Sequence, residues 1–201
     1  MTAILLMLGD SLIDSGIVSR ASDGLVLGEQ IALAMGGDLA NQQLFPIENL
    51  PIPSHALIHN YAHGGAESGL SPQLDGQRGV VPTGFRSQVK AVRRYADFYR
   101  QTKDVDVLIS AGANDVLSML EEADGLAAVV ETPQRFDDRR LLRSTARSIT
   151  RNLRRGVDRL TGFVDEVAMV GAYPLTETPL VQDLLNELDP MPANRLLTLV
   201  E

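Results

Sequence analysis

A serine directly after a short apolar run is the residue in this sequence best placed to do chemistry. Residues Ala3 to Leu8 include no polar member and are cut off at once by Gly9-Asp10-Ser11. A run of that length reads as a strand covered on both faces of a parallel sheet. Open α/β sheets hold their ligands beyond the carboxyl ends of their strands, so the Ser11 hydroxyl stands where a reaction would occur. A serine hydroxyl attacks only when a base takes its proton. Asp10-Ser11 is equally compatible with a plain helix cap, since short words of this kind recur by chance.

Two further strand ends carry polar words. Residues from about Ala56 to Tyr61 read as a second strand and run into His63-Gly64-Gly65-Ala66. Val105 to Ala111 reads as a third strand, followed by Gly112-Ala113-Asn114-Asp115. A glycine after a strand can mean only a turn that needs positive φ, and an asparagine there only turn chemistry or a cap. A bare glycine N–H and an asparagine amide are also the donors that stabilise a developing oxyanion.

The elements that must position these words follow from the apolar spacing. Leu25 to Met35 has helical spacing at 27, 31, 34 and 35 and is stopped by Gly36-Gly37. Residues 38 to 54, with three prolines, read as a surface loop, and the stretch from 66 to Pro82 as irregular. Phe85 to Tyr99 reads as one amphipathic helix, and Val116 to Val130 as a helix interrupted near Gly125. A long helix follows, with its apolar stripe at 142, 146, 149, 153, 157, 160 and 164, Asp137 and Asp138 at its start and Gly162 at its exit. Glu166 to Val170 reads as a fourth strand, and helical pattern resumes at Leu180 to Leu188 and from Ala193. Strands alternating with helices imply one α/β domain over residues 1–201, a three-layer α/β/α sandwich around a mostly parallel sheet. The sheet reads as one strand short at its C-terminal end.

Taken together, Gly9-Asp10-Ser11-Leu12-Ile13-Asp14-Ser15-Gly16, Asn60-Tyr61-Ala62-His63-Gly64-Gly65-Ala66 and Gly112-Ala113-Asn114-Asp115 resemble three of the four sequence blocks of the GDSL, or SGNH, hydrolase family, in the family's order. Gln88-Val89, Gly171-Ala172-Tyr173-Pro174-Leu175 and Thr178-Pro179 extend the likeness, which is closest to the lipase-like branch. The resemblance implies a flavodoxin-like sheet and hydrolysis of a small-molecule or lipid carboxylic ester through an acyl-enzyme, with no cofactor. It implies Ser11 as nucleophile, with Gly65, five residues after Asn60, and Asn114 as oxyanion donors. Asp115 is expected to brace the loop. The family's fourth block, Asp-x-x-His, supplies the general base and its orienting acid and is absent from these 201 residues. The expectation is therefore a C-terminal part, with that histidine and aspartate, lying beyond Glu201. The alternative is a non-catalytic binding protein that keeps the fold without the base.

Composition narrows the remaining classes. Eighteen basic and 26 acidic residues give a formal charge of -8, which disfavours general nucleic-acid binding. The chain has no cysteine, so neither disulfides nor thiolate chemistry enters. No apolar run approaches the ~20 residues of a membrane helix, and the N-terminus lacks signal-peptide features, so the expectation is a cytoplasmic protein without an integral membrane segment. No Gly-x-Gly-x-x-Gly or phosphate loop is present. His55, His59 and His63 would share a face on a helix, but on a strand each four-residue step spans roughly 13 Å, too far for one metal ion. His63 reads as a rim residue. Arg139, Arg140, Arg143, Arg147, Arg151, Arg154, Arg155 and Arg159 stud the long helix, either as a nucleic-acid or anionic-surface patch or as a solvated face partly paired with acidic neighbours.

Overall fold

The apolar run that opens the chain forms the middle strand of a five-stranded, all-parallel sheet. A computed structural model describes residues 3–14, 25–42, 57–70, 72–75, 79–101, 104–122 and 136–170. The chain contributes β1 (Ile4–Gly9), β2 (Leu39–Asn41), β3 (Ile58–Asn60), β4 (Pro72–Asp75), β5 (Gly79–Pro82), β6 (Val105–Ser110) and β7 (Glu166–Met169). The sheet has the spatial order β2-β3-β1-β6-β7, and β4 and β5 pair separately. This is an α/β fold of flavodoxin-like type. Between the strands run α1 (Leu27–Met35), α2 (Phe85–Arg94), α3 (Ala96–Arg100), α4 (Ala113–Glu122) and α5 (Phe136–Leu160).

The side-chain alternation of β1 builds a core on each face of the sheet. Ile4, Leu6 and Leu8 pack with Phe85, Val89, Val92, Tyr99 and Leu160 of α2, α3 and α5. Met7 packs on the other face with Ile13, Ala32 and Ile58, the α1 side. Helices thus cover both faces, which explains why β1 needs no polar residue.

Several local expectations are corrected. The stretch expected to be irregular contains the antiparallel hairpin of β4 with β5. Its prolines pair with each other at the open end, Pro72 opposite Pro82, where losing a donor costs the ladder least. The loop expected from residue 38 begins instead with β2, which pairs with β3 through Leu39–Ile58 and Asn41–Asn60. The helix expected over 85–99 is two helices, because Tyr95 leaves helical geometry at φ -102°, ψ 17°. In α1 the buried residues are Gly28 and Ala32, whereas Met35 is half exposed. In α5 the expected stripe holds at 149, 153, 157 and 160, but Ala146 faces solvent. Residues 43–54, His55, 123–130, the Gly171–Leu175 word and the helical patterns at 180–188 and from 193 lie outside the described residues, as do Ser15 and Gly16.

Candidate active site

The loops that leave three adjacent parallel strands, β3, β1 and β6, carry the three words; β1 and β6 end level with each other, and β3 ends two residues earlier. The register makes this explicit: Met7 lies opposite Asn60 on one side, and Gly9 opposite Ser110 on the other. Ser11, Gly65 and Asn114 therefore follow neighbouring strands at one edge of the sheet.

The first loop is built by Gly9 and Asp10. Gly9 has φ +149°, and a Cβ there would stand 1.8 Å from the Ser110 carbonyl oxygen, so only glycine fits. The Asp10 N–H donates to that same oxygen at 3.0 Å. The Asp10 carboxylate accepts from the Leu12 N–H at 3.2 Å and from the Ser110 hydroxyl at 3.1 Å. Its main-chain carbonyl accepts from the N–H groups of Ile13 and Asp14. Ser11 thus sits in a tight turn, half-buried, between fully held neighbours. Burial pushes the Asp10 carboxyl above its ordinary value, against the opposing effect of the bonds it accepts.

The second loop is tied to the first. The His63 N–H donates to the Gly9 carbonyl at 3.0 Å, and the Gly64 N–H to Asp14 Oδ2 at 2.6 Å. Asn60 Nδ2 donates to the Ile13 carbonyl at 3.2 Å, while Asn60 Oδ1 accepts from the Ala62 N–H. Gly65 is the third residue of a four-residue turn closed by the Ala66 N–H on the His63 carbonyl, and its φ of +74° meets the need of that position. It is solvent-exposed.

The third loop closes on the second. Asn114 Nδ2 donates to the Ala66 carbonyl at 3.0 Å. Asp115 accepts from both the Ser68 N–H at 2.7 Å and the Ser68 hydroxyl at 2.6 Å, so it braces the loop as expected. Asn152 of α5 adds a bond from Nδ2 to the same hydroxyl. Partial burial raises the Asp115 carboxyl from its ordinary value.

His63, expected at the rim, is buried beside these loops. Its Nδ1 lies 3.1 Å from the Tyr61 carbonyl, which can only accept, so Nδ1 carries the proton and Nε2 is the basic nitrogen. Burial lowers its affinity for a second proton, although the Asp14 charge works the other way. His59 faces the sheet core instead, where Nδ1 meets the Tyr99 hydroxyl at 2.8 Å. Among the described residues no three His, Cys, Asp or Glu side chains are grouped to hold a metal ion. No helix there is long and apolar enough to cross a membrane. A surface cavity of about 550 Å³, lined by Arg93, Arg100, Arg159 and Phe163 among others, opens where α2, α3 and α5 lead back to the amino ends of strands. It is remote from Ser11.

Two residues that shape the site carry no role from sequence. Asp14 is fully buried and holds Gly64; its only signal is a second acid four residues after Asp10. Gln88 is fully buried and holds Gly9; beyond its place in the family likeness, its signal is a polar residue inside the apolar face of a helix. No protein-family model matches the chain, and a search of curated proteins finds no match.

Proposed function

We propose that this chain is a serine ester hydrolase of the GDSL or SGNH kind, acting on a small-molecule or lipid carboxylic ester. The observation that carries this reading is the convergence of three loops on one sheet edge, with Ser11, Gly65 and Asn114 on neighbouring strand ends joined by hydrogen bonds. In this reading the Ser11 hydroxyl oxygen attacks the acyl carbon, and its proton passes to a base. The N–H groups of Ser11 and Gly65 and the Asn114 amide hold the oxyanion. An amide nitrogen has two hydrogens; the one on the Ala66 carbonyl orients Asn114, and the other serves the oxyanion. Collapse of the tetrahedral intermediate expels the alcohol, which takes the proton back from the base. Water then repeats the sequence and releases the acid. Pre-oriented donors of this type typically contribute ~2.7–4 kcal/mol each to the barrier.

The base this reading requires is the histidine of an Asp-x-x-His block, which these 201 residues do not contain. Without a base, turnover in serine hydrolases falls by roughly 10⁶. The decisive experiment is hydrolysis of p-nitrophenyl acetate and butyrate by the full natural polypeptide and its Ser11→Ala variant, with fluorophosphonate labelling followed by peptide mapping. Loss of turnover in the variant, and a label on Ser11 alone, are expected. Equal rates, or a label elsewhere, overturn the reading.

A further inference from the structure

Helix α5 presents a row of guanidiniums that neither the fold nor the proposed chemistry uses. Arg140, Arg143, Arg147, Arg151, Arg154, Arg155 and Arg159 are all exposed. The spacing of three and four residues places the first five within one narrow strip, and at 1.5 Å per residue the row from Arg140 to Arg159 is about 28 Å long. The opposite face of the helix is fixed in the domain. Leu160 is fully buried, Leu153 and Val157 pack against the main core, and Ile149 lies against Gly112. The arginines therefore lie on the solvent side of the helix. None of the seven has an ion-pair partner among the described residues. The face is solvated as expected, but the expected partial pairing with acidic neighbours is not found among the described residues. Helix α2, which packs on α5, also exposes Lys90 and Arg93.

Of 18 basic residues in the sequence seven lie in the row, and the 11 others face 26 acidic residues. Charge of one sign is thus collected on one helix while the remainder is strongly of the other sign. We propose that the outer face of α5 is a docking surface for an anionic phospholipid bilayer.

Three features favour a bilayer over other polyanions. The row is straight and lies along one outward helix, so a flat surface meets all of it at once. A flexible or wrapping polyanion gains most from cationic surface on several sides, whereas a bilayer meets only the face turned to it. The segment from Arg140 to Arg159 also contains no aromatic residue, so it offers no platform on which bases stack. The attachment is electrostatic and peripheral, because the apolar face of α5 is committed to the core. It is independent of whether Ser11 acts as a nucleophile.

The test is co-sedimentation of the full natural polypeptide with vesicles of pure phosphatidylcholine and of phosphatidylcholine with phosphatidylserine, in low and high salt. Binding to the anionic vesicles alone, weakened by salt, is expected. Replacing Arg143, Arg147, Arg151 and Arg154 by Gln weakens it by roughly 10³, at ~1 kcal/mol per basic residue. The same four positions changed to Lys retain it. Unchanged circular dichroism and thermal midpoint establish that both variants are folded. Equal binding to neutral vesicles, no binding to anionic vesicles at low salt, or undiminished binding by the Gln variant overturns the proposal. So does tight binding to a short nucleic-acid duplex without vesicle binding. The Ser11→Ala variant binds vesicles like the wild type, which separates this result from the hydrolase reading.

Discussion

The Gln88 side chain forms both hydrogen bonds of a peptide group with Gly9: Oε1 accepts from the Gly9 N–H at 2.6 Å, and Nε2 donates to the Gly9 carbonyl at 2.7 Å. Nε2 also donates to the Thr83 carbonyl at 2.9 Å. Helix α2 thereby satisfies the last residue of β1 just where the chain turns toward Ser11. Gln88 is fully buried, so every one of these bonds is made away from water. Replacing it by Leu leaves the Gly9 N–H and the Thr83 carbonyl without this partner, at about 1–3 kcal/mol for each buried group orphaned. Urea unfolding is expected to show a loss of several kcal/mol.

Gln88→Glu separates geometry from packing. One carboxylate oxygen still accepts from Gly9, but the other faces two carbonyls and needs a proton to bond either of them, with one hydrogen in place of two. The folded state therefore raises the pKa of the introduced carboxyl above its unfolded value. The stability this contributes is complete below the unfolded pKa and is lost as pH rises through the folded one. Relative to wild type, the variant gains stability as the solution is acidified from neutral toward the ordinary carboxylate range. A flat difference across that range would contradict the assignment of the two contacts.

Gly9→Ala tests the close approach of β1 to β6. The added carbon would meet the Ser110 carbonyl oxygen at 1.8 Å, against backbone that cannot swing aside. Adopting φ +149° adds further strain. The expected loss exceeds about 4 kcal/mol, among the largest for a single substitution. Gly36→Ala, where nothing lies within 4 Å, carries only the backbone strain of φ +62° and is expected to lose about 1–2 kcal/mol. Thermal midpoints of the two variants compare these directly.

Asp10 couples the Ser11 turn to pH. Burial raises its carboxyl from the ordinary 3.8, so the folded protein holds the proton more tightly than the unfolded chain. The corresponding stability is present below 3.8 and declines as pH rises through the folded value. In Asp10→Asn this pH dependence is removed, while an amide oxygen still accepts from Leu12 and Ser110. Asp10→Asn is thus expected to gain on the wild type as pH rises from about 4 to about 7. Asp10→Ala lacks the same pH dependence but also loses both acceptors, so at every pH it is expected to be less stable than Asp10→Asn by about 1–3 kcal/mol. His63 acts oppositely, since burial lowers its pKa and stability falls as pH drops below 6.5; it is common to all three proteins and cancels from the differences.

Tyr99→Phe removes the centre of a buried chain. The Tyr99 hydroxyl joins His59 Nδ1 and the Tyr61 hydroxyl, each at 2.8 Å, inside the main core. The ring itself, stacked on Phe163 and edge-on to Phe98, is preserved in the variant. A loss of about 1–3 kcal/mol is expected from the orphaned Tyr61 hydroxyl. Tyr61→Phe/Tyr99→Phe is expected to recover part of it, because an apolar pair leaves less to satisfy. A double-mutant cycle measures that coupling.

The elements legible in the chain are those whose signal is local. The apolar runs of β1 and β6, the glycine stop after α1 and the apolar face of α5 each lie within a few consecutive turns or residues. The polar words after β1, β3 and β6 were legible for the same reason, and with them Ser11, Gly65 and Asn114 as candidates. Where local composition and geometry part company, reading fails. The Pro- and Gly-bearing stretch 72–82 folds back as a hairpin, and the apolar period of 85–99 continues unbroken through the bend at Tyr95.

What only the tertiary structure decided is how those words meet. Gln88 reaches Gly9 across 79 residues, Asp14 reaches Gly64 across 50 and Asn114 reaches Ala66 across 48. No periodicity encodes such pairs, because each is made by side chains whose partners are brought near by the strand order β3-β1-β6 rather than by the sequence around them. The unpaired state of the α5 arginines was equally hidden: their helical spacing is written in the sequence, but that none of them forms an ion pair among the described residues depends on what the fold places beside them.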